Sequence, residues 1–157
     1  MFKTIVWATD GSALADKALP FALQLLEDGQ SLLVVHATAK FHGSRMTGDT
    51  VLADEDELQS KIRSQVAELR AQGVEATLLA LPSRVGKTAD VIAEAARDQN
   101  ADVIVVGTHG HGPALNALVG SVTHRLLHLA SCPVFAVPPS VVVAEAAGAR
   151  VAEAASV

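Results

Sequence analysis

The chain has few of the residues that mark disulfide-rich, nucleic-acid-binding or membrane-spanning proteins. Its one cysteine, Cys132, cannot form a disulfide within the chain, which favours a reducing cytoplasm. Only 3% of the 157 residues are aromatic, and the net charge is −5 without a basic cluster, which argues against nucleic acid as a partner. No apolar run approaches the ~18 residues of a membrane span. We therefore expect one cytoplasmic domain with neither nucleic acid nor membrane as a partner.

Recognisable catalytic motifs are missing as well. The chain contains no G-x-S-x-G elbow, no Ser-His-Asp order and no paired carboxylates. Gly86-Lys87-Thr88 is not a Walker A loop, because Leu81 stands where that motif needs glycine, so Thr88 is interpreted as a candidate N-cap. Cys132 precedes an apolar strand and is interpreted as a structural thiol. We assign no catalytic residue.

What the chain does contain is a regular alternation of strand and helix patterns. Apolar, β-branched runs predict five strands, at residues 2–8, 31–37, 75–81, 102–106 and 133–137. Helical spacing predicts a helix that Ser12 caps and Asp28-Gly29 ends, with Pro20 as a potential kink, and further helices at residues 56–72, 88–98 and 121–129. Residues 40–54 form a predicted loop. The predicted fold class is a three-layer α/β/α, Rossmann-like domain with a five-stranded parallel sheet.

The most informative motif is Gly107-x2-Gly110-x9-Gly120-Ser121, between the fourth strand and the last helix. Glycines let the backbone approach phosphate oxygens because no Cβ is in the way. The unpaired N–H groups and the dipole of a helix N-terminus attract anions. Ordinary turn chemistry would explain each glycine alone, but the three together favour a phosphate site.

A second loop is expected to face this motif. In a parallel sheet with helices on both faces, ligands bind at the carboxyl ends of the strands, where the strand order reverses. The first and fourth strands are the natural central pair, which places residues 8–10 beside residues 107–110. Asp10 is therefore a candidate to bind a ribose hydroxyl or a divalent cation. The alternative is a turn in which Asp10 bonds its own backbone.

Hydroxyl and imidazole groups lie around the same glycines. Ser121 and Thr123 open the last helix, and one of them could cap it, but the preceding glycine favours contact with phosphate. His109 and His111 flank Gly110 and could meet phosphate or solvent. These side chains suit binding better than turnover, because no general base is visibly positioned.

Three stretches of the chain together resemble the universal stress protein family. They are IVWATDGSALADKALPFAL, SLLVVHA and VVGTHGHGPALNALVGSVTHRLLHLASCPVFAV, and the likeness runs from Lys3 to Val137. The complete G-2x-G-9x-G-S/T pattern resembles the ATP-binding branch of that family. We therefore assign a universal stress protein domain to residues 1–138 and an Ala/Val-rich tail to residues 139–157. The tail could be a loosely held helix, an arm onto a partner chain, or disordered.

The resemblance implies a fold of the adenine nucleotide alpha hydrolase-like type and a homodimer that pairs through the last strand. It implies ATP as the ligand, with Mg²⁺ accompanying the triphosphate and Asp10 near the ribose and the metal. Ala8, Thr9 and Ala37 look like backbone contacts to adenine. The other residues assigned to the nucleotide site are Val106, Gly107, His109, Gly110, His111, Gly120, Ser121, Val122 and Thr123. Where this chain has His111, the family often has Arg or Lys.

The function implied is that of an ATP-binding, dimeric sensor or regulator in the stress response. Two alternatives stay open. One is a slow ATP hydrolase, for which His109, His111 or Asp10 would have to position water. The other is a protein-interaction module whose nucleotide is only structural.

Overall fold

A parallel sheet forms the centre of the computed structural model, which describes residues 2–39, 55–109 and 119–141. Its five strands run in the order β3-β2-β1-β4-β5 and are β1 Thr4–Ala8, β2 Ser31–Ala39, β3 Glu75–Ser83, β4 Val103–Gly107 and β5 Val134–Val137. The predicted sheet and its central pair of first and fourth strands are confirmed. The predicted loop at residues 40–54 and the tail beyond residue 141 lie outside the described residues.

Two strands are longer than the sequence pattern predicts. β2 and β3 continue to pair beyond residues 37 and 81, through Thr38 opposite Pro82 and as far as Ala39 opposite Ser83. A proline cannot donate to a neighbouring strand, but β3 is an edge strand, where this loss is tolerated. The prediction that both strands end earlier is therefore wrong.

The described helices are α1 Ala13–Asp16, α2 Leu19–Gln24, α3 Glu55–Ala71, α4 Thr88–Asp98 and α5 Ser121–Leu129. The first predicted helix is divided in two, with Pro20 in the first turn of α2, where an N–H group has no partner inside the helix. Ser12 caps α1 as predicted. The predicted cap at Thr88 is wrong, because Thr88 is already helical and Lys87 holds the cap position. Within the described ranges, no helix is both long and apolar enough to cross a membrane.

Alternate residues of β1 point into two separate apolar cores. Ile5 and Trp7 pack on one face of the sheet with residues of α2 and α3, while Val6 and Ala8 pack on the other with residues of α4 and α5. All four are at most 2% exposed, as expected for a central strand that is covered on both faces. The predicted three-layer arrangement is thus confirmed.

The start of β1 is fixed by a carboxylate from far along the chain. Asp102 Oδ2 accepts hydrogen bonds from the backbone N–H groups of Lys3 at 2.6 Å and Thr4 at 2.9 Å. These two bonds, that of Thr4 first, hold the pKa of Asp102 below its usual value because they stabilise the charged carboxylate. The two central strands are therefore joined at this end by a side chain as well as by their ladder.

Candidate functional site

The loop after β1 closes on itself through its own side chains. Thr9 Oγ1 accepts from the N–H of Gly11 at 3.1 Å, and Asp10 Oδ1 accepts from the N–H of Ser12 at 3.0 Å. Ser12 Oγ accepts from the N–H of Ala15 at 3.1 Å and so caps α1. Asp10 therefore forms the turn with its own backbone that the sequence allowed, and this turn fixes the position of its carboxylate.

Two side chains that the sequence analysis missed hold the back of this loop. His36, which is 3% exposed, donates from Nδ1 to Thr9 O at 3.0 Å, and its Nε2 lies 2.7 Å from Glu55 Oε1. Lys61 Nζ donates to Gly11 O at 2.7 Å. A polar residue in an otherwise apolar strand is a signal that could have found His36. Lys61 gives no such signal, because lysines are common on helix surfaces.

Gly120 stands where the chain packs too closely for an ordinary side chain, and Gly107 stands where the packing is tight. A Cβ at Gly107 would lie 3.2 Å from Leu14 O, and a Cβ at Gly120 would lie 2.8 Å from Thr108 O. Gly120 N donates to the same Thr108 O at 2.6 Å. Packing by itself therefore requires glycine at position 120 and leaves little room for a side chain at position 107, in addition to the approach of phosphate that the sequence suggested.

Helix α5 begins at a residue that cannot cap it with a side chain. Gly120 is the N-cap, in an extended conformation with φ −64° and ψ 156°. The N–H groups of Ser121, Val122 and Thr123 have no acceptor inside the helix, and the first intrahelical bond runs from His124 N to Gly120 O at 2.9 Å. This end of α5 therefore carries the partial positive charge that favours an anion.

The two hydroxyl groups that open α5 lie in different surroundings. Thr123 is 2% exposed, and its Oγ1 donates to Gly107 O at 2.8 Å, which ties α5 to the end of β4. Ser121 is exposed. Neither is the N-cap, which is Gly120. The Thr123 hydroxyl thus has a structural partner within the protein, whatever it contacts in a ligand.

The predicted nucleotide contacts follow the carboxyl ends of neighbouring strands. Ala8 is paired with Val35 on one side and with Val106 on the other. Beyond β4, Thr108 Oγ1 lies 2.9 Å from His109 Nδ1. Most of the predicted contact residues stand in the last two positions of β1 and β4, after those strands, or at the start of α5, whereas Ala37 lies inside β2, two residues before its end; the set is Ala8, Thr9, Asp10, Ala37, Val106, Gly107, His109, Gly120, Ser121, Val122 and Thr123. Gly110 and His111 lie outside the described residues.

Among known families, one matches nearly the whole chain, because residues 1–138 fit the model described as the Universal stress protein family. The chain belongs to the universal stress protein family. A universal stress protein of Thermus aquaticus is 34% identical over 141 residues, which cover 87% of this chain and 99% of that protein.

Solved structures of universal stress proteins share this fold. One from Archaeoglobus fulgidus, in complex with dAMP, is 25% identical with a TM-score of 0.58 and covers 87% of this chain and 97% of its own. Another, in complex with cAMP, is 26% identical with a TM-score of 0.58 and covers 88% of this chain and 98% of its own. The likeness therefore extends over nearly the full length of each of these universal stress proteins.

Metal-binding side chains are sparse in the described part of this universal stress protein. Across residues 2–39, 55–109 and 119–141, no group of three or more His, Cys, Asp or Glu is placed to hold a metal ion. Asp10 supplies one carboxylate after β1, the strand that pairs with β4. Such a donor set fits a cation that takes its remaining ligands from phosphates and water, as Mg²⁺ does.

The cysteine of this universal stress protein lies in surroundings that disfavour its thiolate form. Cys132 is half-buried shortly after α5. Burial, with the negative charge of Asp102 adding to it, raises the pKa of the Cys132 thiol above its usual value. Because the thiolate is the reactive form, a raised pKa lowers reactivity at neutral pH. This agrees with the structural role that the sequence indicates.

Proposed function

We propose that this universal stress protein binds ATP together with Mg²⁺, between the β1–α1 loop and the N-terminus of α5. The observation that carries the proposal is the start of α5, where N–H groups without an intrahelical acceptor follow Gly120, which is bonded to Thr108 just after β4; β4 pairs with β1, the strand that leads to Asp10. Relatives solved with dAMP and with cAMP support an adenine nucleotide as the ligand class. In this proposal the protein acts in the cytoplasm as a dimeric, nucleotide-responsive sensor or regulator in the stress response.

Each part of the nucleotide has chemically suitable partners in this arrangement. The phosphates accept from the first-turn N–H groups of α5 and from the glycine-rich backbone after β4. Asp10 accepts from a ribose hydroxyl or supplies an oxygen ligand to Mg²⁺. The backbone of Ala8, Thr9 and Ala37 contacts the adenine ring. Bound Mg²⁺ would neutralise part of the triphosphate charge.

The edge strand β5 is the proposed contact between two protomers. Among the strands that the structure describes, β5 pairs only with β4, and its Phe135 is 44% exposed. Pairing of two such strands would cover an apolar edge that otherwise invites uncontrolled association. Light scattering after gel filtration should give twice the chain mass, and Phe135→Asp should give a monomer. A Phe135→Asp variant that stays dimeric would exclude this edge.

Calorimetric titration with ATP, AMP and cyclic AMP, each with and without Mg²⁺, tests the ligand. We expect saturable binding of ATP that tightens with Mg²⁺, and no binding of any of the three would contradict the proposal. Pull-down of partners with and without ATP then separates a sensor from an interaction module. A sensor changes its affinity for a partner, whereas a purely structural nucleotide only raises thermal stability.

Slow ATP hydrolysis is a second candidate, because the ring of His109 has a defined partner. The contact of 2.9 Å between Thr108 Oγ1 and His109 Nδ1 orients the imidazole directly after β4. An oriented imidazole close to bound phosphates could position a water molecule. Phosphate release above a protein-free control, lost in His109→Gln with nucleotide binding retained, would support hydrolysis. Equal release by both proteins would exclude this histidine.

A further inference from the structure

Lys61 of α3 reaches the back of the β1–α1 loop. Its Nζ donates to Gly11 O at 2.7 Å and pairs with Asp16 Oδ2 at 2.6 Å. Gln65, one turn further along α3, donates from Nε2 to Asp16 Oδ1 at 3.0 Å. The side chains of Lys61 and Asp16 are 40% and 28% exposed, so their ion pair by itself contributes little stability. The distinctive contact is the one from the ammonium group to the backbone.

This contact holds one edge of a peptide group whose other edge is bonded to Asp10. The peptide group between Gly11 and Ser12 is planar. Its carbonyl accepts from Lys61 Nζ at 2.7 Å, and its N–H donates to Asp10 Oδ1 at 3.0 Å. A rotation of this plane would break both bonds together. The orientation of the Asp10 carboxylate is therefore linked to Lys61 through a single rigid group.

The loop contains one residue, Gly11, that permits several backbone orientations, so a contact from outside the loop helps its internal bonds to select one of them. Gly11 has φ 77°, a conformation that strains any residue with a Cβ, so position 11 favours glycine. Glycine gives the chain more rotational freedom than any other residue. Because of that freedom, the Gly11–Ser12 peptide group is held in one orientation more firmly when both its carbonyl and its N–H have partners.

We propose that Lys61 is a positioning residue of the nucleotide site, which holds the Gly11–Ser12 peptide so that Asp10 faces the ribose or Mg²⁺. Lys61 itself does not contact the nucleotide. This inference rests on the proposed function. Without the Lys61 bond the loop samples other orientations, and the apparent affinity falls with the fraction of molecules in the competent one.

Titration of Mg-ATP into Lys61→Met is the principal test. A hydrogen bond from a charged group changes an equilibrium by about ten-fold, so we expect Kd to rise by about that factor. Lys17→Met is the matched control, because Lys17 also donates to a backbone carbonyl, that of Pro139 at 2.6 Å, outside the loop. It should bind within about two-fold of the wild type. Lys61→Arg keeps the charge and the donors and should recover most of the affinity.

Asp16→Asn separates positioning from a long-range effect of charge. Removing a negative charge near the site would tighten the binding of an anionic nucleotide if charge alone mattered. A positioning role predicts weaker binding of the nucleotide instead, since Asp16 holds the ammonium group of Lys61 in place. Tighter binding by Asp16→Asn, or wild-type affinity in Lys61→Met, would overturn the proposal.

Amide hydrogen exchange without nucleotide distinguishes a failure of this inference from a failure of the proposed function. The Ser12 N–H should exchange about ten-fold faster in Lys61→Met, because the peptide group that carries it is released. Unchanged exchange at Ser12 would overturn the positioning role even if binding weakens. A wild type that binds no adenine nucleotide would overturn the proposed function, and the exchange result would then assign Lys61 to the loop alone.

Discussion

Helices α1 and α5 both begin at the ends of the central strands, but their starts are built in opposite ways. α1 has four residues and is capped by Ser12, while Thr9 and Asp10 accept from the N–H groups just before it. α5 has nine residues and begins at Gly120, which has no side chain to cap it. The first start is closed by its own side chains, whereas the second start is open, because its first-turn N–H groups have no acceptor inside the helix and no side-chain cap.

This difference shows how one binding site can divide its chemistry between two loops. The closed loop holds a carboxylate in a fixed place, which suits a hydroxyl group or a cation. The open helix end supplies partial positive charge, which suits phosphate. Substitutions at the two starts should therefore have distinguishable effects on the binding of nucleotide.

Gly120→Ala should have the largest effect, because it blocks the open start. Its methyl group would lie 2.8 Å from Thr108 O, so α5 must shift together with its first-turn N–H groups. Overpacking of this kind costs about 1–3 kcal/mol of stability, and we expect calorimetry to detect no nucleotide binding. Gly120→Asp adds a carboxylate at the proposed phosphate position and should be at least as severe, with loss of stability as well.

Gly86→Ala is the control for the loss of stability in Gly120→Ala. Gly86 has φ 76° and no atom within 4 Å of an added Cβ, so alanine strains the backbone without any contact near the site. The strain costs about 1–2 kcal/mol, yet nucleotide should bind normally. Equal loss of binding in both variants would show that Gly120 acts through stability alone.

Asp10→Asn tests whether the Asp10 carboxylate in the closed loop before α1 contributes to nucleotide binding. The amide oxygen of asparagine can still accept from the Ser12 N–H, so we expect the unfolding midpoint to stay close to that of the wild type. Loss of the charge should weaken the binding of Mg-ATP by about ten-fold in titration calorimetry. Asp10→Ala removes the turn as well and should also unfold at lower temperature. Wild-type affinity for Mg-ATP in Asp10→Asn would remove Asp10 from the site.

Thr123→Val tests whether the Thr123 hydroxyl of α5 serves the fold or the ligand. Valine has nearly the same shape but leaves Gly107 O without its bond from the buried Thr123 hydroxyl. We expect the free energy of unfolding in urea to fall by about 1 kcal/mol, and Thr123→Ser should keep the wild-type value. If Thr123→Val unfolds like the wild type but binds nucleotide weakly, the hydroxyl acts on the ligand instead.

The smallest effect is expected at Asp90 of α4, which forms an ion pair with Arg125 of α5. The hydrogen bond from Arg125 to Asp90 at 3.2 Å, with Lys87 Nζ 3.3 Å away on the same carboxylate, lowers the pKa of Asp90 below its usual 3.8. The resulting stabilisation is present above pH 3.8 and is lost as the pH falls through the lowered native-state value. Urea midpoints of the wild type and Asp90→Asn should differ slightly at neutral pH and converge in acid or high salt. A difference that grows in acid would contradict this assignment.

The order of the strands could be predicted, but their ends could not. An alternation of strands and helices permits few parallel topologies, so the pairing of β1 with β4 follows from the whole pattern. The end of β3 depends on whether Pro82 lies on an edge strand, and local sequence does not contain that information.

In the site, too, contacts between neighbouring residues could be predicted, whereas contacts between distant segments could not. The turn at Asp10 and the cap at Ser12 are local, so they could be recognised from residue types alone. Lys61 could not, because a lysine on a helix gives the same pattern whether it meets solvent or a carbonyl from another loop. The contact between Gly120 and Thr108 likewise depends on how closely two segments approach, which residue spacing does not specify.

The bonds from Asp102 to the start of β1 also constrain how the chain matures during synthesis. Asp102 lies 99 residues after Lys3, so at about 5–20 residues per second roughly 5–20 s separate the two on the ribosome. Within that interval β1 can pair with β2 once residues 31–39 have been made, but its other edge, which β4 later covers, stays open. β1, the middle strand of the finished sheet, therefore keeps one backbone edge and part of its apolar surface exposed for longest during synthesis. The nascent chain is most prone to aggregate in that period.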